Sequence, residues 1–131
     1  MGLYGYNAAR FHLTNNNTGD VMSEETKDMI DMIIDNYNQI AFQKFLDIEV
    51  VKADREESIA HVKLPFKKEL AGGGKAYHGG VISSLIDLTG ALATWVGHDV
   101  NRGMKASTVQ LNVQFLAAAL GQDIVAEAKV T

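Results

Sequence analysis

The sequence predicts an α+β domain in which an antiparallel sheet lies around one central, apolar helix. Two observations carry this prediction. Short segments that alternate apolar and polar residues with a two-residue period occur on both sides of a helical segment that is apolar nearly all round. An amphipathic helix precedes them. The predicted order is therefore helix, two strands, buried helix, two strands, which is typical of an α+β fold with an antiparallel sheet.

Length and composition fit one domain. The chain has 131 residues, of which 47% are hydrophobic and 21% charged, and a chain of this size buries roughly two thirds of its unfolded surface without disulfides or metals. Because it contains no cysteine, thiol nucleophiles, thiolate zinc sites and disulfide scaffolds are excluded. The formal net charge of −4 gives no basic field that would attract nucleic acid or anionic lipid. We therefore expect neither nucleic acid nor a membrane as partner.

Residues 1–22 differ in character from the rest of the chain. They contain a run of three asparagines, and they lack the basic segment followed by an apolar segment that marks a signal peptide. We expect a mobile N-terminal tail over residues 1–22 and a single domain over residues 23–131. The expected compartment is the cytoplasm, with the mitochondrial matrix as the alternative.

The first element of the domain is an amphipathic helix. Ser23 suits the N-cap, and the acidic residues Glu24 and Glu25 complement the helix dipole in the first turn. A helix that packs on a sheet is favoured over a partner-binding helix, because apolar stripes are the ordinary way in which helices pack. The stripe consists of Ile30, Ile33, Ile34, Tyr37, Ile40 and Ala41.

A hairpin follows this helix. Residues 48–53 and 58–64 read as strands, with the charged turn 54–57 between them. His61 shares a face with Lys63, so a solvated histidine is favoured over a metal ligand. Pro65 ends the second strand, because proline donates no hydrogen bond to the ladder.

The central helix is predicted over residues 81–96 and is expected to be buried, with Gly97 as a glycine C-cap. Asp87 is the only formally charged residue between Lys75 and Asp99. A buried carboxylate is costly unless it is paired, so this residue is rarely retained without a use. A catalytic base or nucleophile is favoured, and a hydrogen bond to a polar residue of a neighbouring strand is the alternative.

The glycine-rich segment that precedes this helix matches no phosphate-binding motif. Ala76 stands where a phosphate loop needs Ser or Thr, and Tyr77 breaks the dinucleotide fingerprint. Gly79 and Gly80 offer backbone N–H groups at a helix start, which suit a developing oxyanion. A tight turn into the helix explains these glycines equally well. No metal site is expected, because the four histidines are scattered: His12, His61, His78 and His98.

The last part of the chain predicts two more strands. Residues 107–116 alternate strictly, Gly121 marks a turn, and residues 122–131 alternate again. The chain stops within this second pattern, and a sheet that wraps an apolar helix normally needs more than four strands. Either further strands follow in a longer protein, or another subunit covers the helix.

Spacing constrains any catalysis by Gly79 and Asp87. Eight residues separate them, which is about 12 Å along one helix. Groups that act on one carbonyl carbon must converge within about 3.5 Å. If both are catalytic, Gly79 of one subunit must meet Asp87 of another across a two-fold axis.

Residues 36–131 resemble the PaaI-like acyl-CoA thioesterases of the hotdog fold. The resemblance rests on the His78-Gly79-Gly80 motif, on Asp87 nine positions after His78, on the apolar helix, on the alternating segment 107–116 and on the turn Gly121-Gln122-Asp123. It implies a curved sheet around the central helix, and dimers or homotetramers with active sites at a subunit interface. Family members usually continue for two further strands, so C-terminal strands are expected to be missing.

The resemblance also implies a role for each residue. The Gly79 N–H polarises the thioester carbonyl, Asp87 of the facing subunit is base or nucleophile, Thr108 positions the water, and His78 orients neighbouring groups. The implied contacts to the acyl-pantetheine arm come from Gly80, Ser84, Gln110 and Asn112. The implied reaction is hydrolysis of an acyl-CoA to free acid and CoA, with no cofactor because CoA is part of the substrate. The alternatives are a hotdog dehydratase or hydratase, and a non-catalytic acyl-CoA-binding or truncated subunit.

Overall fold

A computed structural model describes residues 7–11, 23–103 and 105–131. Its fold is α+β, with an antiparallel sheet and one long central helix, as the sequence predicts. The two short 3₁₀ turns are Lys68–Leu70 and Val100–Arg102. The helices and strands are β1 (Asn7–Phe11), α1 (Glu24–Gln39), α2 (Ala41–Leu46), β2 (Glu49–Asp54), β3 (Ile59–Leu64), α3 (Gly79–Gly97) and β4 (Ile124–Val130).

The sheet has the strand order β1-β4-β3-β2, and every neighbouring pair is antiparallel. Helix α3 packs against β3 and β4. The buried residues of these two strands alternate with partly exposed ones, and three of them are alanines, which lets the helix approach the sheet closely. The buried strand residues are Ala60, Val62, Leu64, Ile124, Ala126 and Ala128.

Helix α3 forms the centre of the core. Leu85, Leu92 and Val96 have no exposed surface, and burying each such side chain stabilises the fold by about 1.5–3 kcal/mol. By length and composition α3 is also apolar enough to cross a membrane. A helix that packs in the core of a globular domain passes the same test, and the contacts of α3 with β3 and β4 are of that kind.

The C-terminal end of α3 is held by the β2–β3 turn. The Arg55 guanidinium donates to the carbonyl oxygens of Val96 and His98, at 2.9 Å in each case, so a cation satisfies the last carbonyls of the helix. The predicted glycine C-cap is wrong: Gly97 is the last helical residue, and the cap is His98 with φ −70°. Glycine is needed at 97 for space, because a methyl group there would lie 2.0 Å from Oγ of Ser58.

Helix α1 begins as predicted, because the Ser23 side chain accepts a hydrogen bond from the Thr26 N–H. It ends earlier than the apolar stripe suggests. The chain leaves the helical conformation at Ile40, which has φ −65° and ψ 133°, and then enters α2. Ile40 is therefore half exposed, whereas Ile33 and Tyr37 are buried as expected.

Strand β1 lies within the segment in which the sequence predicts a mobile tail. It pairs with β4 from Asn7 opposite Val130 to Phe11 opposite Ala126. No sequence pattern indicates this strand, because its residues do not alternate in polarity. The remainder of the predicted tail lies outside the described residues.

The strand predicted over residues 107–116 is not formed in the part of the chain that the structure describes. Both Val109 and Leu116 are almost fully exposed, at 90% and 89%. An extended segment becomes a strand only when a neighbouring strand supplies hydrogen bonds to it. The alternation is present, but none of the described strands pairs with it.

Candidate active site

The N-terminus of α3 offers a backbone donor to a ligand. Four N–H groups at a helix start have no partner within the helix. Around this start, the His78 N–H donates to the carbonyl of Leu70 at 2.9 Å. His78 itself accepts two hydrogen bonds: its Nδ1 accepts from the Gly80 N–H at 3.0 Å, and its carbonyl accepts from the Val81 N–H at 2.9 Å. Among the described residues, no group accepts from the Gly79 N–H. This N–H is therefore available to a carbonyl oxygen or an oxyanion.

His78 holds this helix start in place. Because its Nδ1 accepts from Gly80, a neutral His78 carries its proton on Nε2. The imidazole side chain thus acts as an N-cap, and it occupies the Gly80 N–H, leaving Gly79 as the donor. Next to that donor lies Phe115, since a methyl group at position 79 would be 3.5 Å from Cζ of Phe115.

Asp87 lies two turns further along α3 and is paired. The Thr108 hydroxyl donates to its Oδ1 at 2.6 Å. Asp87 is half-buried rather than buried as predicted. A carboxylate that is oriented by one short hydrogen bond retains its second oxygen for a further partner, such as a water molecule or a carbonyl carbon.

Tyr37 is a residue at this site that the sequence does not indicate. It lies on α1, which packs against α3, and only 6% of it is exposed. None of the described groups forms a hydrogen bond with its hydroxyl. Burial, followed by the negative charge of Asp87, raises the pKa of Tyr37 far above its usual value, so the phenol remains a proton donor. In the sequence it counts only as one member of an apolar stripe.

The remaining candidates divide into two groups. Ser84 lies beside the helix start, where its hydroxyl donates to the carbonyl of Gly80 at 2.8 Å. Gln110 and Asn112 are exposed, and the structure brings neither of them to Gly79 or to Asp87 by a hydrogen bond. Within one chain, therefore, Asp87 accepts a hydrogen bond from Thr108, whereas the Gly79 N–H lies about 12 Å away along α3.

Within the described ranges, no group of three His, Cys, Asp or Glu side chains could hold a metal ion. His61 is half-buried and lies 3.9 Å from Oε1 of Glu127. Burial lowers its pKa, and the charge of Glu127 partly opposes this shift. His98 instead contacts the carbonyl of Gly103 at 2.6 Å, and His12 lies outside the described residues.

The available Gly79 N–H and the Asp87–Thr108 pair lie in one part of the chain, and that part matches a known family. Residues 74–131 match the thioesterase superfamily. This range contains every candidate site residue from His78 to Asn112. Over these 58 of its 131 residues the chain is similar to that superfamily.

Two relatives share part of this sequence. A Saccharolobus solfataricus protein with the name "Putative esterase" is 36% identical over 87 residues, which are 66% of this chain and 59% of that protein. An Archaeoglobus fulgidus protein of the same name is 31% identical over 109 residues, or 82% of this chain and 62% of that protein. The chain spans about three fifths of the length of these curated relatives.

Solved structures support the fold. A crystal structure from the thioesterase superfamily superimposes with a TM-score of 0.63 at 17% identity, covering 79% of this chain and 96% of the other. A conserved protein of Pseudomonas aeruginosa gives a TM-score of 0.59 at 19% identity, with 72% and 94% covered. At such low identity these neighbours establish the fold alone. The fold is hotdog-like, with α3 as its central helix, as the resemblance implied.

Proposed function

We propose that this protein hydrolyses acyl-CoA thioesters and belongs to the PaaI-like, HGG-motif branch of the thioesterases. The observation that carries the proposal is the Asp87–Thr108 hydrogen bond of 2.6 Å, because it holds a carboxylate at a fixed orientation on an otherwise apolar helix. The names of the two relatives, which describe esterases, support the same reaction class.

The proposed reaction uses two parts of α3. The thioester carbonyl oxygen accepts from the Gly79 N–H, which stabilises the charge that develops on it. Asp87 either removes a proton from an attacking water or attacks the carbonyl carbon itself to form an anhydride that water then cleaves. In both routes the carbon–sulfur bond breaks, CoA leaves as the thiolate and takes up a proton, and the acid is released.

Because one helix keeps these two groups about 12 Å apart, the proposed site joins Gly79 of one copy to Asp87 of a second copy. The exposed segment near Asp87 supports such an assembly. Between residues 105 and 120 it presents apolar side chains to solvent, and none of the described strands pairs with its backbone between 105 and 116. The exposed apolar residues are Val109, Leu111, Phe115, Leu116 and Leu120. We infer that a second copy covers them, in a dimer or in a dimer of dimers.

The hydrolysis itself is tested by incubating the purified protein with a panel of acyl-CoAs and measuring free thiol and free acid. Release of both supports hydrolysis. A hydratase or dehydratase would alter the acyl group and leave the thioester intact, and an acyl-CoA-binding subunit would bind the ligand without turnover. Since the proposed mechanism uses no cofactor, the rate should persist after dialysis against a chelator.

Leu116→Lys should weaken self-association, because an ammonium group would lose its hydration wherever a second copy covers residue 116. We expect the dissociation constant to rise by about tenfold or more, and turnover to fall with the fraction of assembled protein. Sedimentation velocity over a range of concentrations measures the effect. Met32→Lys is the matched control, because Met32 is half exposed on α1, outside this segment. Equal weakening by both variants, or an active monomer, would contradict the shared site.

Tyr37→Phe should separate function from stability. If the phenol positions Asp87 or its water, kcat should fall by about tenfold while KM changes little. Since no described group pairs with this hydroxyl, removing it should not lower the free energy of unfolding. Steady-state kinetics and urea denaturation of the same preparation give both quantities. An unchanged kcat would exclude Tyr37 from the site, and a loss of stability would assign its hydroxyl a structural partner.

A further inference from the structure

A shallow depression lies beside the N-terminus of α3. Its volume is about 330 Å³, within the range of small-molecule sites, and it is lined by Phe66, Lys68, Ala71, Gly74, Lys75 and Gly121. Its walls are fixed by backbone hydrogen bonds. Gly72 N–H donates to the carbonyl of Ala76 at 2.9 Å, and Gly121 N–H to the carbonyl of Lys75 at 2.8 Å. The depression is thus a feature of the folded loops and not of side-chain rotamers alone.

Two lysines of this depression are free of ion pairs with the described residues. Among the described residues, the lysines that form ion pairs with carboxylates are Lys63, Lys67 and Lys129. Neither Lys68 nor Lys75 is among them. Nearby Asp123 is itself occupied by Lys63 and by the Phe66 N–H. Two lysines that line one concave site favour a ligand that carries more than one negative charge, and lysine is a common partner of phosphate.

The rest of the lining suits a flat aromatic group. Phe66 is half-buried, and its ring is fixed by an edge-to-face contact with Tyr77, with 5.2 Å between the ring centroids. Nucleobases pack readily on such rings. Gly74 and Gly121 have positive φ values of 79° and 44°, so their backbone turns without a side chain that would fill the depression. The combined chemistry is that of a phosphorylated aromatic base.

The depression and the proposed oxyanion donor share one loop. The carbonyl of Leu70 accepts from the His78 N–H at 2.9 Å, and a methyl group at Gly72 would lie 3.4 Å from Cα of His78. A ligand that carries a thioester at one end and a phosphorylated base at the other can therefore contact both. CoA thioesters have this construction, with the pantetheine arm between the two ends.

We propose that this depression, through Lys68, Lys75 and Phe66, binds the 3′-phosphorylated adenosine diphosphate end of the CoA substrate. The inference rests on the proposed thioester hydrolysis and makes it more specific. It distinguishes a thioesterase that acts on CoA esters from one that recognises only the acyl group and the thioester.

The test compares two substrates with the same acyl group, an acyl-CoA and its N-acetylcysteamine thioester, which lacks the nucleotide. In the double variant Lys68→Ala/Lys75→Ala we expect KM for the acyl-CoA to rise about tenfold or more, with kcat within about twofold of the unaltered protein. KM for the N-acetylcysteamine thioester should not change. The matched control is Lys27→Ala/Lys52→Ala, which removes the same charge from exposed positions on α1 and β2.

A binding measurement separates this inference from the proposed reaction. Calorimetry should detect adenosine 3′,5′-bisphosphate binding to the unaltered protein and its loss in Lys68→Ala/Lys75→Ala, whether or not the protein turns over thioesters. The depression does not bind the nucleotide if the KM for acyl-CoA stays constant in Lys68→Ala/Lys75→Ala. The same conclusion follows if KM rises equally for both substrates, or if the KM for acyl-CoA rises equally in the control variant. If no thioester is hydrolysed but bisphosphate binding depends on the lysines, the proposed reaction fails and the binding site stands.

Discussion

Asp87→Asn should lower kcat for acyl-CoA hydrolysis by about 10²–10⁴-fold, because the amide can neither accept the proton of an attacking water nor act as a nucleophile. Its size and its capacity to accept the Thr108 hydrogen bond are retained, so the fold and the oligomer should remain intact. Free-thiol release under saturating substrate measures the effect, and circular dichroism and sedimentation verify the fold and the assembly. Asp31→Asn is the matched control, because Asp31 is an exposed carboxylate on α1. If Asp87→Asn kept most of its rate, Asp87 would be neither base nor nucleophile and the proposed mechanism would be wrong.

A single-turnover experiment in ¹⁸O-labelled water distinguishes the two roles of Asp87. If the carboxylate attacks the thioester, hydrolysis of the anhydride at the aspartyl carbon leaves labelled oxygen in Asp87, which mass spectrometry of the peptide detects. If Asp87 acts as a base, the label appears only in the acid product. The structure is compatible with both, because Thr108 engages only Oδ1.

The elements that the sequence predicts correctly are those fixed by local pattern. Ser23 identifies the start of α1 because an N-cap side chain acts within one helical turn. Helix α3 is evident because a segment that is apolar on all sides requires burial wherever it lies. The catalytic role of Gly79 stays a prediction, which is compatible with the absence of an acceptor for its N–H among the described groups.

What the sequence does not predict depends on distant contacts. Arg55 caps α3 across 41 residues of chain, and in the sequence it is only part of a charged turn. Tyr37 counts there as one more apolar residue, although its hydroxyl is buried near Asp87. Residues 107–116 are predicted as a strand, since a two-residue period shows which side chains share a face but not which strand lies alongside.

Gly97→Ala should lower the stability of the fold because the central helix has no room for a side chain at this position. A methyl group there would lie 2.0 Å from Oγ and 2.7 Å from Cβ of Ser58. A rotamer change could move the hydroxyl, but relieving the contact with Cβ requires a backbone shift, and such overpacking costs about 1–3 kcal/mol. The better helix propensity of alanine offsets up to about 1 kcal/mol. We expect a net loss of about 1 kcal/mol in the free energy of unfolding, measured by urea denaturation.

Ser58→Gly supplies the control for this prediction, because it removes the side chain that a methyl group at position 97 would meet. Ser58 has φ 50°, a left-handed conformation that glycine adopts without strain. In the Ser58→Gly background both close contacts disappear and only Cα remains, at 3.4 Å. Gly97→Ala should there be neutral or stabilising, so that the double-mutant cycle gives a coupling of about 2 kcal/mol. Equal destabilisation in both backgrounds would show that α3 tolerates no side chain at position 97 for a reason other than Ser58. Rescue would identify this contact as the determinant of how closely the end of the central helix packs against the turn whose Arg55 caps it.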